Sequence, residues 1–231
     1  MLVPGIANQT LPPARMVSPN VALLACSGAT STGTSVSPGE EDLPAQIAQL
    51  TSLQAPGPPT SIVTATIGGD DGKDQGVGFF HTLLQCYLVN CVGAFRQELK
   101  WLGNQEPALL GQDFTSIITA APSATVFAVG YPLLFNPRQG YCVGLSPVDQ
   151  KLLNLLTSQL DADIQTAAAS ILGVTYVNVL NAFAGHELCS TSPDVVSPLQ
   201  SPLNMHDWFH PNPAGQAQIA NLVAAAIVAS Q

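Results

Sequence analysis

Asp207 and His210 stand three residues apart in "LNMHDWFHPNPAGQ" (203–216), with an aromatic pair between them. Groups at that spacing on one helical turn face the same way, so a carboxylate can hold one imidazole nitrogen and leave the other as a proton acceptor. A general base needs that pairing to draw a proton from a hydroxyl. The same residues have a plainer use. Asp207 and Asn212 can satisfy the orphan backbone donors at a helix start, with His210 on the surface. Spacing leaves both readings open.

Two glycine turns could supply complementary parts. Gly28 in "ACSGATS" (25–31) follows an apolar run and can aim an unobstructed backbone N–H at a developing oxyanion, or can simply serve a turn. Ser27 and Thr30 beside it are expected to satisfy that turn's own hydrogen bonds. "IGGDD" (67–71) leaves an apolar run without side-chain bulk and presents Asp70. An ionised carboxylate accepts hydrogen bonds without donating them, so it suits an oxyanion poorly. In "FAGHELC" (183–189), His186 and Glu187 are adjacent and point apart on any regular element, so the segment reads as a structural loop held by Cys189. No Cys-x-x-Cys spacing marks a zinc site, and no metal or cofactor is implied.

These groups need a frame. A chain of 231 residues suffices for one α/β domain with a full core, and 46% hydrophobic residues predict a packed globule. Only 9% are charged, against roughly 25% in ordinary soluble domains, and small polar residues fill the surface as in extracellular proteins. The net charge is −9, and the few bases form no run, which argues against nucleic acid and against an anionic membrane surface. No apolar run reaches the roughly 18 residues of a spanning helix, so integral membrane association is not expected. The opening residues lack the basic and apolar regions of a signal peptide. Five cysteines allow two disulfides with one left over, which fits an oxidising compartment.

Along the chain, apolar runs alternate with helical periods. Strands are predicted at 20–25, 60–67, 124–132 and 174–179. Helices are predicted at 43–53, through most of 76–103, at 107–121, and at 146–172 behind Ser146-Pro147. A last helix starts at Asn212-Pro213 and should bury Ile219, Leu222, Val223, Ala226 and Ile227. Residues 1–19 read as irregular and 20–231 as one domain. The succession predicts a three-layer α/β/α fold with a mostly parallel sheet, whose sites gather beyond the carboxyl ends of the strands. Ser27-Gly28, Gly69-Asp70 and the 203–212 segment all belong at that edge.

In this order, "ACSGAT" (25–30), "TIGG" (66–69), "VGYP" (129–132), "YCVGLS" (141–146), "NAFAGHELC" (181–189) and "DWFHPNPAGQ" (207–216) resemble the SGNH hydrolases, the GDSL lipases and esterases, in their secreted, disulfide-containing branch. The resemblance implies a flavodoxin-like α/β/α fold, secretion, and serine-based hydrolysis of small esters, acyl lipids or acetylated sugars. By that analogy His210 is the general base, Asp207 its orienting acid and Gly28 an oxyanion donor. It also implies the disulfides Cys86–Cys91 and Cys142–Cys189, and a bridge from Cys26 to a cysteine upstream.

Two departures matter. Asp70 stands where the family has its oxyanion asparagine, and it would donate only if protonated, well above the usual value of about 4. "DGKDQG" (71–76) looks like an insertion. No Gly-Asp-Ser occurs in the sequence, and residues 1–19 hold neither the first strand nor the serine turn of that block. A missing N-terminal block would explain the strand, the serine and the odd cysteine together. The expectation is therefore an esterase fold without its serine and with little or no turnover. Ser27, the nearest hydroxyl, is expected to substitute poorly because it precedes the oxyanion glycine. The alternative is a non-catalytic binding protein that reuses the fold, with Asp207 and His210 as relics.

Overall fold

The computed structural model describes residues 15–18, 21–33, 42–54, 59–88, 91–204 and 207–231. In chain order its elements are β1 (Arg15–Ser18), β2 (Val21–Leu23), α1 (Leu43–Leu53), β3 (Ile62–Ala65), α2 (Phe79–Leu88), α3 (Cys91–Asn104), α4 (Glu106–Ala120), β4 (Thr125–Val129), α5 (Pro147–Ala169), β5 (Val174–Val177) and α6 (Pro213–Ala229). β3, β4 and β5 form a parallel sheet in that order. Parallel neighbours need long crossovers, and here each crossover is helical.

β4 is the middle strand and shows why the fold has three layers. Alternate residues point to opposite faces. Val126 and Ala128 pack with Leu110, Phe114 and Ile117 of α4 and with Leu156, Leu160 and Ile164 of α5. Phe127 and Val129 pack on the other face with Leu83 of α2, Leu153 of α5, and Ile219 and Val223 of α6. Both faces are covered, which accounts for the unbroken apolar run "TVFAV". At its end, Gly130 lies against Asp161, whose carboxylate accepts the Tyr131 N–H at 3.1 Å and the Tyr176 hydroxyl. A Cβ at residue 130 would run into that carboxylate, so "VGYP" needs its glycine.

The helix starts behave as their sequences predict. Ser146 and Asp149 form a reciprocal capping box at α5, and the Asn212 side chain accepts the N–H groups of Ala214 and Gly215 at α6. One buried position differs from expectation. Leu222 of α6 is 39% exposed, because the inner stripe runs through Ile219 and Val223 and the next residue round the helix points out.

The amino-terminal region also differs. The predicted strand at 20–25 is β2, and it pairs antiparallel with β1 in a separate two-stranded sheet rather than joining the parallel one. β1 lies inside the segment expected to be irregular. A connection of two residues can only fold a strand back on its predecessor.

Both disulfides implied by the resemblance are present, Cys86–Cys91 and Cys142–Cys189. The Cys26 sulfur lies 3.9 Å from the Leu24 carbonyl oxygen. Cys142–Cys189 closes a loop with sequence separation 47, and Phe135 and Leu188 bridge beside it. Chain-entropy arithmetic for such a loop gives about 4 kcal/mol. Replacing both cysteines by serine should lower the unfolding free energy by about that amount in denaturant titrations, with a larger loss of midpoint than for the short Cys86–Cys91 loop.

Candidate active site

A backbone ladder sets the position of His210. Val196 N–H donates to the His210 carbonyl, and Phe209 N–H donates to the Val196 carbonyl, each at 2.9 Å. The Phe209 ring packs against Phe135 with centroids 6.4 Å apart. Phe209 adopts φ +64°, a left-handed conformation that a bulky side chain rarely takes, so the tertiary contacts enforce it.

That turn decides what the histidine meets. Its Nδ1 lies 3.1 Å from the Trp208 carbonyl oxygen. A carbonyl only accepts, so Nδ1 carries the hydrogen and Nε2 is left as the acceptor. Nε2 faces the Ser27 hydroxyl at 3.4 Å. The arrangement is a hydroxyl–imidazole pair with the tautomer fixed by a backbone carbonyl.

Asp207 does not orient the ring as its spacing implied. Its carboxylate accepts from Asn204 Nδ2 at 2.7 Å and from Ser201 Oγ at 3.2 Å, and Trp208 Nε1 donates to the Ser201 carbonyl at 2.7 Å. The reason is conformational. The three-residue rule holds for a regular helical turn, and the left-handed Phe209 breaks that turn between the two groups. The plainer reading of Asn212 stands beside this, since it caps α6 and its Nδ2 holds the Pro193 carbonyl at 2.6 Å.

Ser27 is brought to the histidine by the glycine that follows it. Gly28 has φ +75°, and the tight turn leaves Ser27 exposed with its hydroxyl toward His210 instead of inside the turn. The expectation that Ser27 serves only its own turn is thus corrected. Thr30 does not serve its own turn either, since its N–H and hydroxyl both donate to Asp42, twelve residues on at the start of α1. The Lys73 ammonium reaches the Gly28 carbonyl, so the segment expected to be an insertion ties the turn after β3 to the turn after β2.

Asp70 follows Gly69, whose N–H donates to the Tyr131 hydroxyl at 3.1 Å. Burial foremost, and then the Asp70 charge, push the Tyr131 phenol well up, so it stays neutral. Burial also lifts Glu98 to about 7, with Asp70 adding to the rise. Asp70 therefore sits in a strongly acidic neighbourhood. His186 and Glu187 bond within their own loop, with His186 Nδ1 on the Ser192 carbonyl at 2.7 Å and Glu187 accepting the Gly185 N–H at 3.1 Å. No cluster of metal-binding side chains occurs among the described residues. Sequence spacing missed the Trp208 carbonyl, a backbone group without a residue signature, and missed Lys73, whose lone positive charge within an acidic loop was the available clue.

Comparison with known proteins identifies the family of the chain. The profile of the GDSL-like Lipase/Acylhydrolase family matches residues 7–218. The chain is 31% identical over 161 residues to Lipase 1 of Streptomyces coelicolor, covering 68% of this chain and 57% of that protein. It is 31% identical over 162 residues to a lipase of Streptomyces rimosus, covering 69% and 57%. The chain thus spans 57% of the length of these relatives. The crystal structure of the Streptomyces rimosus extracellular lipase superposes with a TM-score of 0.71 at 29% identity, covering 87% of this chain and 78% of that one. Phospholipase A1 of Streptomyces albidoflavus gives 0.67 at 27% identity with the same coverage.

If Nε2 activates Ser27, a fluorophosphonate probe should label Ser27, as read by peptide mass mapping, and His210→Ala should abolish the label. Labelling that survives in His210→Ala, or that falls on another serine, would remove the pair.

Proposed function

The chain belongs to the GDSL-like lipase/acylhydrolase family, and from that membership we propose that it hydrolyses carboxylic esters through the Ser27 hydroxyl with His210 as general base. The observation that carries this is the 3.4 Å approach of Ser27 Oγ to a His210 Nε2 whose tautomer is already that of an acceptor.

Ser27 Oγ attacks the ester carbonyl carbon as its proton passes to Nε2. The imidazolium that results keeps its Nδ1–H on the Trp208 carbonyl. The new oxyanion meets the Gly28 N–H, the amide directly after the nucleophile, which is where other serine hydrolases also place an oxyanion donor. Gly28 beside Ser27 is therefore an asset. Collapse breaks the ester C–O bond, Nε2–H protonates the departing alcohol, and water attacks the acyl-serine with the same base.

The reaction through Ser27 is slow. Asp70 replaces an asparagine donor, and losing one oxyanion donor typically costs about 10²–10³ in kcat. Substrates are small or medium acyl esters and acyl lipids. The relatives are lipases and a phospholipase A1, and Leu199 and Leu203, 83% and 99% exposed, offer apolar surface beside the histidine loop. The two disulfides and the extracellular relative support secretion. Asp70 is also what favours the other reading, a binding protein without turnover.

On p-nitrophenyl butyrate, His210→Ala should lower kcat/KM by about 10²–10⁴, while Asp207→Asn, which only loosens the Ser201–Asn204 turn, should cost less than about tenfold. Equal losses would restore Asp207 to the ring, an unchanged rate in His210→Ala would remove His210 as the base, and no rate above background in the unaltered chain would favour the binding protein. Asp70→Asn should raise kcat by about 10- to 100-fold, because the amide donates where the carboxylate repels.

A further inference from the structure

Beneath the candidate site, one hydroxyl lies between two carboxylates. Ser31 Oγ is 2.5 Å from Asp71 Oδ2 and 2.5 Å from Asp113 Oδ2. A hydroxyl has one hydrogen and can donate to only one of them. Two ionised carboxylates cannot share it, so one of the acids must hold a proton and donate it to Ser31. Asp71 also accepts the Ser31 N–H, at 2.7 Å, which favours its ionised form. The proton therefore belongs on Asp113, which is 4% exposed.

Glu106 supports this independently. It is 0% exposed, its Oε2 accepts the Trp101 Nε1–H at 3.2 Å, and its Oε1 has no hydrogen-bond partner among the described residues. A Cβ placed on Gly68 would come within 2.5 Å of Oε1, so this carboxyl lies directly under the turn that carries Asp70. A buried carboxyl in that setting is stable only when neutral.

We infer that Ser31, Asp71 and Asp113 form a proton-loaded latch that holds the Ser27–Gly28 segment and the Gly69–Asp71 turn onto α4, and that removal of the Asp113 proton releases both. The groups facing the latch are mostly acidic. Asp42 faces Asp71 from the start of α1, Glu106 faces it from α4, Lys73 from its own turn supplies the positive charge, and Glu98 of α3 and Tyr131 after β4 adjoin Glu106 and Asp71. Burial, as the largest effect, pushes Asp113 up to about 7 and Glu106 up to about 9, and raises Asp71.

The sign follows from proton linkage. These carboxyls hold their protons more tightly folded than unfolded. Their contribution is complete below about pH 4, the unfolded value, and is lost as pH rises through about 7 for Asp113 and about 9 for Glu106.

Thermal melts and hydrogen exchange test this without any turnover assay, so the result stands apart from the esterase reading. Between about pH 6 and about pH 9 the melting temperature of the chain should fall by at least about 5 °C, and exchange in peptides covering 27–33 and 68–72 should rise beyond the intrinsic pH effect. In Asp113→Asn the amide donates to Ser31 as the protonated acid does, so the fall should be less than half as large and the peptides should stay protected. An equal fall in Asp113→Asn, or a fall without loosening of those peptides, overturns the latch. Infrared difference spectra of the unaltered chain over the same range require no variant. They should show a protonated carboxyl band disappearing, and its absence at about pH 6 contradicts the proposal.

Discussion

One backbone carbonyl determines what the candidate site can do. Trp208 O holds His210 Nδ1, and the proposed chemistry depends on that bond, because it leaves Nε2 as the acceptor facing Ser27. A carbonyl fixes the tautomer as well as a carboxylate does, but it carries no full charge to stabilise the imidazolium. The bond exists because Phe209 is held left-handed between the Val196 ladder and the Phe135 ring. The disulfide at Cys189, the Asn212 cap and the β5-to-α6 connection all serve to hold that short loop in place.

Much of the frame was legible in the sequence. The uncharged β-branched runs gave β3, β4 and β5, and Ser146-Pro147 and Asn212-Pro213 marked two helix starts through cap chemistry that needs no tertiary information. The order of short motifs carried the family and both disulfides. The site was legible only in part. Asp207–His210 was read with a helical rule, and one left-handed residue inside the turn voided that rule. Ser27 was set aside for preceding a glycine, although the positive φ of that glycine is what turns its hydroxyl outward. Strand β1 was missed because its composition is ordinary and only a tight return explains its pairing.

The distribution of acids connects stability with the site. Few residues are charged, yet among the described residues seven acids, Asp42, Asp71, Glu98, Glu106, Asp113, Asp161 and Asp194, are buried. Asp161 fastens the end of β4 to β5 through Tyr131 and Tyr176. Asp42 fixes Thr30 at the start of α1, and Asp71 fixes Ser31. Short polar side chains thus replace apolar packing at the edge where the turns gather, and buried polar links hold only while each member has its proton or its partner. The same edge that presents Ser27 and His210 is therefore the part of the fold most exposed to a change in pH.

The most direct test of the account is a crystal structure of the chain after reaction with an alkyl fluorophosphonate. Phosphorus should be bonded to Ser27 Oγ, with the phosphoryl oxygen at hydrogen-bonding distance from the Gly28 N–H and His210 still anchored to the Trp208 carbonyl. Phosphorus on another residue, or a His210 ring turned onto Asp207, would contradict it.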